Sequence, residues 1–245
     1  MSFRAFRRAV ALGLALALVV LRYWLLRLHG SPTMERRAQW MQTSCRGILT
    51  ALGITYRVEG LPPSHGLVVS NHLSYLDILI LSAAMPCFFV AKMEIDGWPY
   101  FGKAARVGGT IFLDRSSLAS ATTVAEQMSE RLKLAVPVLL FPEGTSTDGS
   151  QVLRFHSRLI DPATAAGIEI TAAAVHYVIE DGTPEQALCW YGDTEFLPHL
   201  IKTLEAPGFL ARVRFGRARV YPDRRTAADQ THAEITSMRL QLSLP

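Results

Sequence analysis

Leu67-Val68-Val69-Ser70-Asn71-His72-Leu73-Ser74-Tyr75-Leu76-Asp77 is the stretch on which the reading of this chain turns. Its first residues form a short apolar run, rich in β-branching, of the kind that makes a buried strand. Residues 75–84 are almost wholly apolar and read as a buried helix. His72 therefore sits where a strand hands over to a helix, the end at which open α/β sheets place their ligands. On one continuous helix, side chains five positions apart diverge by about 140° and cannot touch. His72 and Asp77 can meet if His72 lies in the loop and Ser74 opens the helix. Ser74-Tyr75-Leu76-Asp77 fits that arrangement, since it resembles a capping box with Asp in place of Glu. A plainer reading stands beside it: Asp77 as a first-turn acid favoured by the helix dipole, His72 as a polar loop residue.

Length and composition set the outer bounds. A chain of 245 residues can bury a substantial core in one domain, or in one domain plus an anchor. Hydrophobic residues make up 49% of it and mean hydropathy is positive, high for a freely soluble enzyme. Charge is uneven: residues 1–50 carry Arg4, Arg7, Arg8, Arg22, Arg27, Arg36, Arg37 and Arg46 against the single acid Glu35. These arginines flank apolar residues, which suits an anionic membrane surface better than a nucleic acid. No aromatic-basic strand pattern or zinc-finger spacing supports nucleic-acid binding. Cys45, Cys87 and Cys189 are far apart and form no CxxC pair, so they read as buried thiols of a reducing compartment.

Residues 9–26 are apolar except for Arg22. As a helix they span about 27 Å, marginal for a bilayer core of about 30 Å. Arg22 is near enough to one end to snorkel, and Tyr23-Trp24 suits an interfacial belt. The apolar run continues past Ala15 and Ala17, so no cleavage site ends it, and an uncleaved membrane-embedded helix is expected. More arginine lies after this segment than before it, which favours a cytoplasmic downstream domain at the inner membrane. A monotopic helix dipping into one leaflet satisfies the same charges. The division expected is an anchor over residues 1–30 and one catalytic domain over 31–245.

Gly30-Ser31-Pro32 breaks the chain before a helical pattern over 34–53 and an alternating strand over 54–59. Short apolar strands follow at 67–69, 87–90, 110–113, 136–141 and 168–177. Between them, residues 117–134 read as an amphipathic helix with Leu118, Val124, Met128 and Leu132 along one side. This alternation predicts an α/β domain with a mixed central sheet flanked by helices. Toward the C-terminus, helices are expected over 196–204 and 226–242, with an exposed-edge strand over 211–221.

Two further strand ends carry chemistry. Gly109-Thr110-Ile111-Phe112-Leu113-Asp114-Arg115 ends in an Asp-Arg pair; the arginine can offer a fork to phosphate, or simply pair with its neighbour on the surface. Phe141-Pro142-Glu143-Gly144-Thr145-Ser146 gathers an acid, a glycine and two hydroxyls in a turn. Such a turn can form an anion-binding concavity, or be an ordinary Pro-Glu-Gly turn. The spacing is not the Gly-x-Ser-x-Gly of a serine hydrolase, and His72 and Asp77 lack zinc-motif spacing.

Asn71-His72-x4-Asp77, Gly109-x-x-Phe112-x-Asp114-Arg115 and Phe141-Pro142-Glu143-Gly144-Thr145 occur in the order and approximate spacing of the glycerolipid acyltransferase blocks. The chain thus resembles the bacterial 1-acyl-glycerol-3-phosphate acyltransferases, the family named after the membrane enzyme PlsC, over about residues 60–177. It departs from the pattern twice: Ser146 stands where a basic residue usually follows, and 170–175 has alanine where a proline is usual. The resemblance implies a glycerol-3-phosphate acyltransferase-like fold and acyl transfer from acyl-CoA or acyl carrier protein to the sn-2 hydroxyl of lysophosphatidic acid, in phospholipid biosynthesis. It implies His72 as general base, Asp77 as its orienting partner, and Arg115, Glu143, Gly144 and Thr145 as acceptor-binding residues. Arg154 or Arg158 can stand in for the missing basic residue. No metal and no cofactor beyond the acyl donor is implied, and the bilayer is a partner. The altered third block motivates a lyso-aminolipid acceptor as the alternative; a thioesterase and a non-catalytic membrane-binding module are the remaining readings. Met93, Trp98, Pro99, Tyr100 and Phe101 are either a membrane-facing rim or an ordinary core corner.

Overall fold

The computed structural model describes residues 2–28, 30–98, 100–114 and 118–244. Along the chain run α1 (Phe3–Arg27), α2 (Met34–Leu52), β1 (Ile54–Glu59), β2 (Leu67–Ser70), α3 (Leu76–Ala84), β3 (Phe88–Lys92), α4 (Phe101–Val107) and β4 (Ile111–Leu113). They are followed by α5 (Leu118–Leu132), β5 (Val138–Leu140), α6 (Asp161–Ala165), β6 (Ile170–Ile179), α7 (Phe196–Glu205), β7 (Phe209–Phe215) and α8 (Arg224–Leu242). Among the described residues the strands make one mixed sheet in the order β1-β7-β6-β2-β5-β3-β4, flanked by helices on both faces. All neighbours are parallel except β6 and β7.

Strand alternation sorts the core into two layers. Val68, Leu139, Phe89, Val175 and Tyr177 face α2 and α3, whose Leu49, Leu52, Leu76 and Ile80 cover them. Leu67, Val69, Val138, Ala172 and Ala174 face α5 and α8, meeting Val124, Met128, Ile235 and Leu242. The three cysteines are buried free thiols, and burial pushes Cys45 up to about 12.

The segment expected as an exposed edge over 211–221 is instead the interior strand β7, ending at Phe215. Its arginines are paired: Arg214 meets Glu59 on β1, and Arg212 donates to the carbonyls of Leu242, the last residue of α8, and of Leu244 beyond it. Alternating arginine marks an ion-paired, half-covered face here, which an edge strand imitates in sequence.

The N-terminal helix is longer than the apolar run, because Ser2 caps it at Ala5 and the helix takes in Arg4, Arg7 and Arg8. At 25 residues it is about 37 Å long, enough to cross a bilayer core by length and composition. One face is docked. Arg8 donates to the carbonyls of Ala206 (2.6 Å) and Pro207 (3.1 Å) past the end of α7, and Trp40 of α2 donates to Val19 (3.1 Å). Arg22 reaches the Thr43 carbonyl of α2 at 3.5 Å and is not extended toward a helix end. The opposite face leaves Phe6, Leu14, Leu18, Leu21 and Trp24 exposed.

The parallel strands β2 and β5 both end at one rim of the sheet, and β6 overhangs it. Ser70, the last residue of β2, pairs with Ala173, so Val175 and Tyr177 continue past the end of β2 beside the loop that follows.

Candidate active site

The site begins where β2 runs out of ladder partners. Asn71 substitutes its amide for a backbone: its Nδ2 donates to the Val175 carbonyl (3.1 Å) and its Oδ1 accepts from the Val175 N–H (2.8 Å). His72 follows in the loop. Its N–H donates to Glu143 Oε1 (2.7 Å), its carbonyl accepts from the Thr147 N–H (2.9 Å), and its ring stacks on Phe141 with centroids 4.0 Å apart. The next carbonyl, of Leu73, accepts from the Trp190 N–H (2.8 Å). Backbone and ring are thus held from several sides, while the imidazole keeps 18% of its surface open.

Asp77 is fully buried in the first turn of α3. Its Oδ2 accepts from His72 Nδ1 (2.8 Å), the Leu73 N–H (2.6 Å) and the Ser74 N–H (3.0 Å), and its Oδ1 accepts from the Tyr177 hydroxyl. Part of the capping box is present: Asp77 reaches back to the Ser74 N–H as the box requires. The Ser74 hydroxyl, however, accepts from Leu76 (3.3 Å), not from the residue three on, and the helix opens at Leu76. Four donors converge on this one desolvated carboxylate, as burial of a polar group demands. With the Nδ1 proton committed to Asp77, Nε2 is the basic nitrogen of the ring.

Glu143 stands behind this pair. Oε1 holds the His72 N–H and Oε2 the Leu153 N–H, both at 2.7 Å, so the carboxylate bridges two loops and is itself buried. Burial lifts its carboxyl to about 7, against the pull of those two donors. Gly144, at φ 76°, turns the chain back so that its N–H meets the Phe141 carbonyl (3.1 Å), a backbone setting that a side chain disfavours. Thr145 is exposed beyond it. Ser146, at the position usually basic, turns its hydroxyl inward to the Trp190 carbonyl. Arg154 and Arg158 are exposed on the segment that follows Leu153, tied to the turn by the His156 N–H on the Pro142 carbonyl (2.8 Å).

The structure therefore gathers His72, Asp77, Glu143 and the Gly144–Thr145 turn at one rim. Arg115 lies outside the described residues, as does Pro99. Of the aromatic segment, Trp98 packs into a cluster with Trp190 and Phe196, Phe101 joins it edge-on at Phe196 while staying partly exposed, and Met93 and Tyr100 are exposed. Tyr75 joins the same cluster and its hydroxyl meets His199 Nδ1 at 3.1 Å. Among the described residues no three His, Cys, Asp or Glu side chains gather as a metal site.

Two contributors escaped the sequence. Tyr177 is the one phenol in a strand made mostly of alanine, valine and isoleucine, with Thr171 and His176, which is a signal, though a weak one. Arg239 gave none: it sits in the polar helix α8, yet its buried guanidinium binds Glu185 through both nitrogens (2.9 and 2.8 Å), the Val175 carbonyl (2.8 Å) and the Gly149 carbonyl (2.6 Å). It joins β6, the loop of Thr147 and the turn at Glu185–Leu188 behind the site.

With this geometry in place, three comparisons bear on it. The model of the Acyltransferase family matches residues 54–176. The chain is 35% identical to a lyso-ornithine lipid O-acyltransferase of Pseudomonas aeruginosa, across 80% of this chain and 74% of the relative. It is 37% identical to a 1-acyl-sn-glycerol-3-phosphate acyltransferase of Neisseria meningitidis, across 56% of this chain and 55% of that one. The crystal structure of the 1-acyl-sn-glycerophosphate acyltransferase PlsC from Thermotoga maritima superposes with a TM-score of 0.70 over 99% of both chains, at 16% identity, so the fold is shared.

Proposed function

The chain belongs to the Acyltransferase family and is an acyltransferase, and on that premise we propose that it moves a fatty acyl group from acyl-CoA or acyl carrier protein to the free hydroxyl of a membrane lysolipid. The observation that carries the proposal is the contact of His72 Nδ1 with the buried Asp77 carboxylate at 2.8 Å. His72 Nε2 removes the acceptor's hydroxyl proton as its oxygen attacks the thioester carbonyl, and Asp77 steadies the imidazolium that forms. The tetrahedral intermediate collapses, the C–S bond breaks, and the leaving thiolate takes the proton back from the ring. Glu143 acts through the His72 backbone, fixing where the ring stands. Gly144, Thr145 and Arg115, with exposed Arg154 and Arg158, receive the acceptor's head group. No cofactor beyond the acyl donor enters.

For the acceptor, an amino-acid lysolipid such as lyso-ornithine lipid is the reading that Ser146 supports. Its hydroxyl is turned inward to Trp190 and adds no charge where a basic residue would meet a phosphate. The Pseudomonas aeruginosa relative is named for that acceptor. Lysophosphatidic acid is the second reading, supported by the Neisseria meningitidis relative and by exposed Arg154 and Arg158. We place the exposed face of α1 in the bilayer, as an anchor over residues 1–30 beside a domain over 31–245, with the docked face holding the site at the cytoplasmic surface of the inner membrane. A lysolipid then reaches the site without extraction of its acyl chain, which costs about 0.8 kcal/mol per CH₂.

Thioester consumption measured with lyso-ornithine lipid, with lysophosphatidic acid and with neither, in wild type and His72→Ala, tests the whole reading. Turnover that needs a lysolipid and His72 is expected, with the amino-acid lysolipid preferred in competition. Equal consumption without acceptor makes the protein a thioesterase, and full transfer by His72→Ala removes the proposed mechanism.

A further inference from the structure

Tyr177 is the one hydroxyl on Asp77 that no sequence block supplies, and it lies just beyond the stretch matched by the family model. It is placed there by strand length. β2 ends at Ser70, but β6 runs on to Ile179: the Val175 backbone pairs with the Asn71 amide, and Tyr177, two residues on and on the same face as Val175, reaches the first turn of α3. The ring is fully buried, with Phe209 at 5.0 Å between centroids, and its backbone N–H is pinned by Glu185 Oε1 at 2.7 Å. Asp77 Oδ2 already serves His72, Leu73 and Ser74, and Tyr177 alone meets Oδ1 in the described structure.

We propose that Tyr177 is a positioning residue for acyl transfer, whose hydroxyl fixes the free oxygen of Asp77 and sets how strongly the His72–Asp77 pair holds a proton. This rests on the reading of that pair as the base. The bond is made to the pair's deprotonated, anionic state, so it makes that state easier to reach. Losing the donor leaves the Asp77 carboxylate with one partner fewer, so a proton on the His72 ring beside it is favoured more in the variant than in the wild type. Burial and the adjacent Asp77 carboxylate push the phenol well above the usual tyrosine value, so it stays a donor throughout the working range.

The experiment compares full-length wild type, Tyr177→Phe and His72→Ala in detergent micelles, with palmitoyl-CoA and whichever of lyso-ornithine lipid or lysophosphatidic acid the wild type uses. Tyr177→Phe is expected to lower kcat about 10- to 100-fold with KM within about twofold, and to move the acid limb of the kcat profile up by about one pH unit. A merely structural tyrosine lowers the folded fraction without moving that limb. The same upward shift is read without turnover by titrating the ¹⁵N-labelled His72 ring. If the variant is too unstable to assay, global replacement of tyrosine by 3-fluorotyrosine keeps the hydroxyl, makes it a stronger donor, and shifts the limb downward. An inactive His72→Ala beside a Tyr177→Phe enzyme with unchanged kcat and limb overturns the tyrosine's role and leaves the pair intact. An unmoved limb in the fluorinated protein does the same. An active His72→Ala removes both.

Discussion

Two loops meet at His72, and each brings one buried carboxylate to it by a different route. The loop after β2 is followed by Asp77, which touches the imidazole ring. The loop after β5 brings Glu143, which touches only backbone: the N–H of His72 itself and that of Leu153. Both acids are buried and both approach the same residue. Their partners separate them. Asp77 is surrounded by four donors, one of them the group that would carry a proton in the reaction. Glu143 has two donors, neither of which exchanges protons in the chemistry, and burial outweighs them. On the proposed mechanism, the difference assigns one carboxylate to a proton and the other to a position.

The largest expected effect breaks the comparison at the ring. Asp77→Asn keeps the shape but turns an acceptor into a possible donor against Nδ1, favouring the wrong tautomer; a loss of about 10³- to 10⁴-fold in kcat is expected, close to that of His72→Ala. Steady-state kinetics on folded protein measures it. An Asp77→Asn enzyme within tenfold of wild type would demote Asp77 to a helix cap.

Much of this was legible in the sequence, for identifiable reasons. The strand-loop-helix at 67–84 could be read because an apolar run, a turn and a second apolar run leave few alternatives, and the requirement that His72 and Asp77 touch fixed the loop. Residues 211–221 misled because charge pairing with Glu59 and the end of α8 is long-range, while the alternation it produces is local. Glu143 was read as facing the acceptor because a strand-end acid looks the same whether it faces a ligand or the loop of its neighbour. Its partner Leu153 lies ten residues on, across a turn that no periodicity announces. Arg239 was hidden for the same reason, its partners being 54 to 90 residues away.

Glu143→Gln sharpens the comparison next. One amide oxygen keeps one backbone donor, but the amide nitrogen confronts the other, leaving a buried N–H without an acceptor at a cost of about 1–3 kcal/mol. Denaturant melts should show that loss. A fall in kcat of about 10- to 100-fold is expected, with the acid limb unmoved, because position and not proton affinity has changed. A shifted limb would make Glu143 a second member of the proton system.

The same group predicts a pH dependence of stability. Its folded value, about 7, lies above an ordinary value of 4.5. Between those values the folded chain holds a proton that the unfolded chain has released, so this term favours folding at low pH and is lost as pH rises through 7. The contribution is at most about 3 kcal/mol across the window. Glu143→Gln cannot ionise, so its melting temperature should lack this slope. Parallel slopes in the two proteins between pH 4.5 and 7 would assign the term elsewhere.

The smallest effect asks whether the helix start and the catalytic pair are one device or two. The Ser74 hydroxyl accepts only the Leu76 N–H at 3.3 Å, whereas the Ser74 N–H, which serves Asp77, belongs to the backbone and survives substitution. Ser74→Ala should therefore cost about 1 kcal/mol of stability, the usual worth of one such hydrogen bond, and leave kcat within about threefold. Thermal melts and kinetics on the same preparation read both quantities. A kcat that falls tenfold or more without greater destabilisation would show that a slack first turn lets Asp77 drift from His72, and the Ser74 hydroxyl would then belong to the proposed catalytic device on the Asp77 side of the comparison.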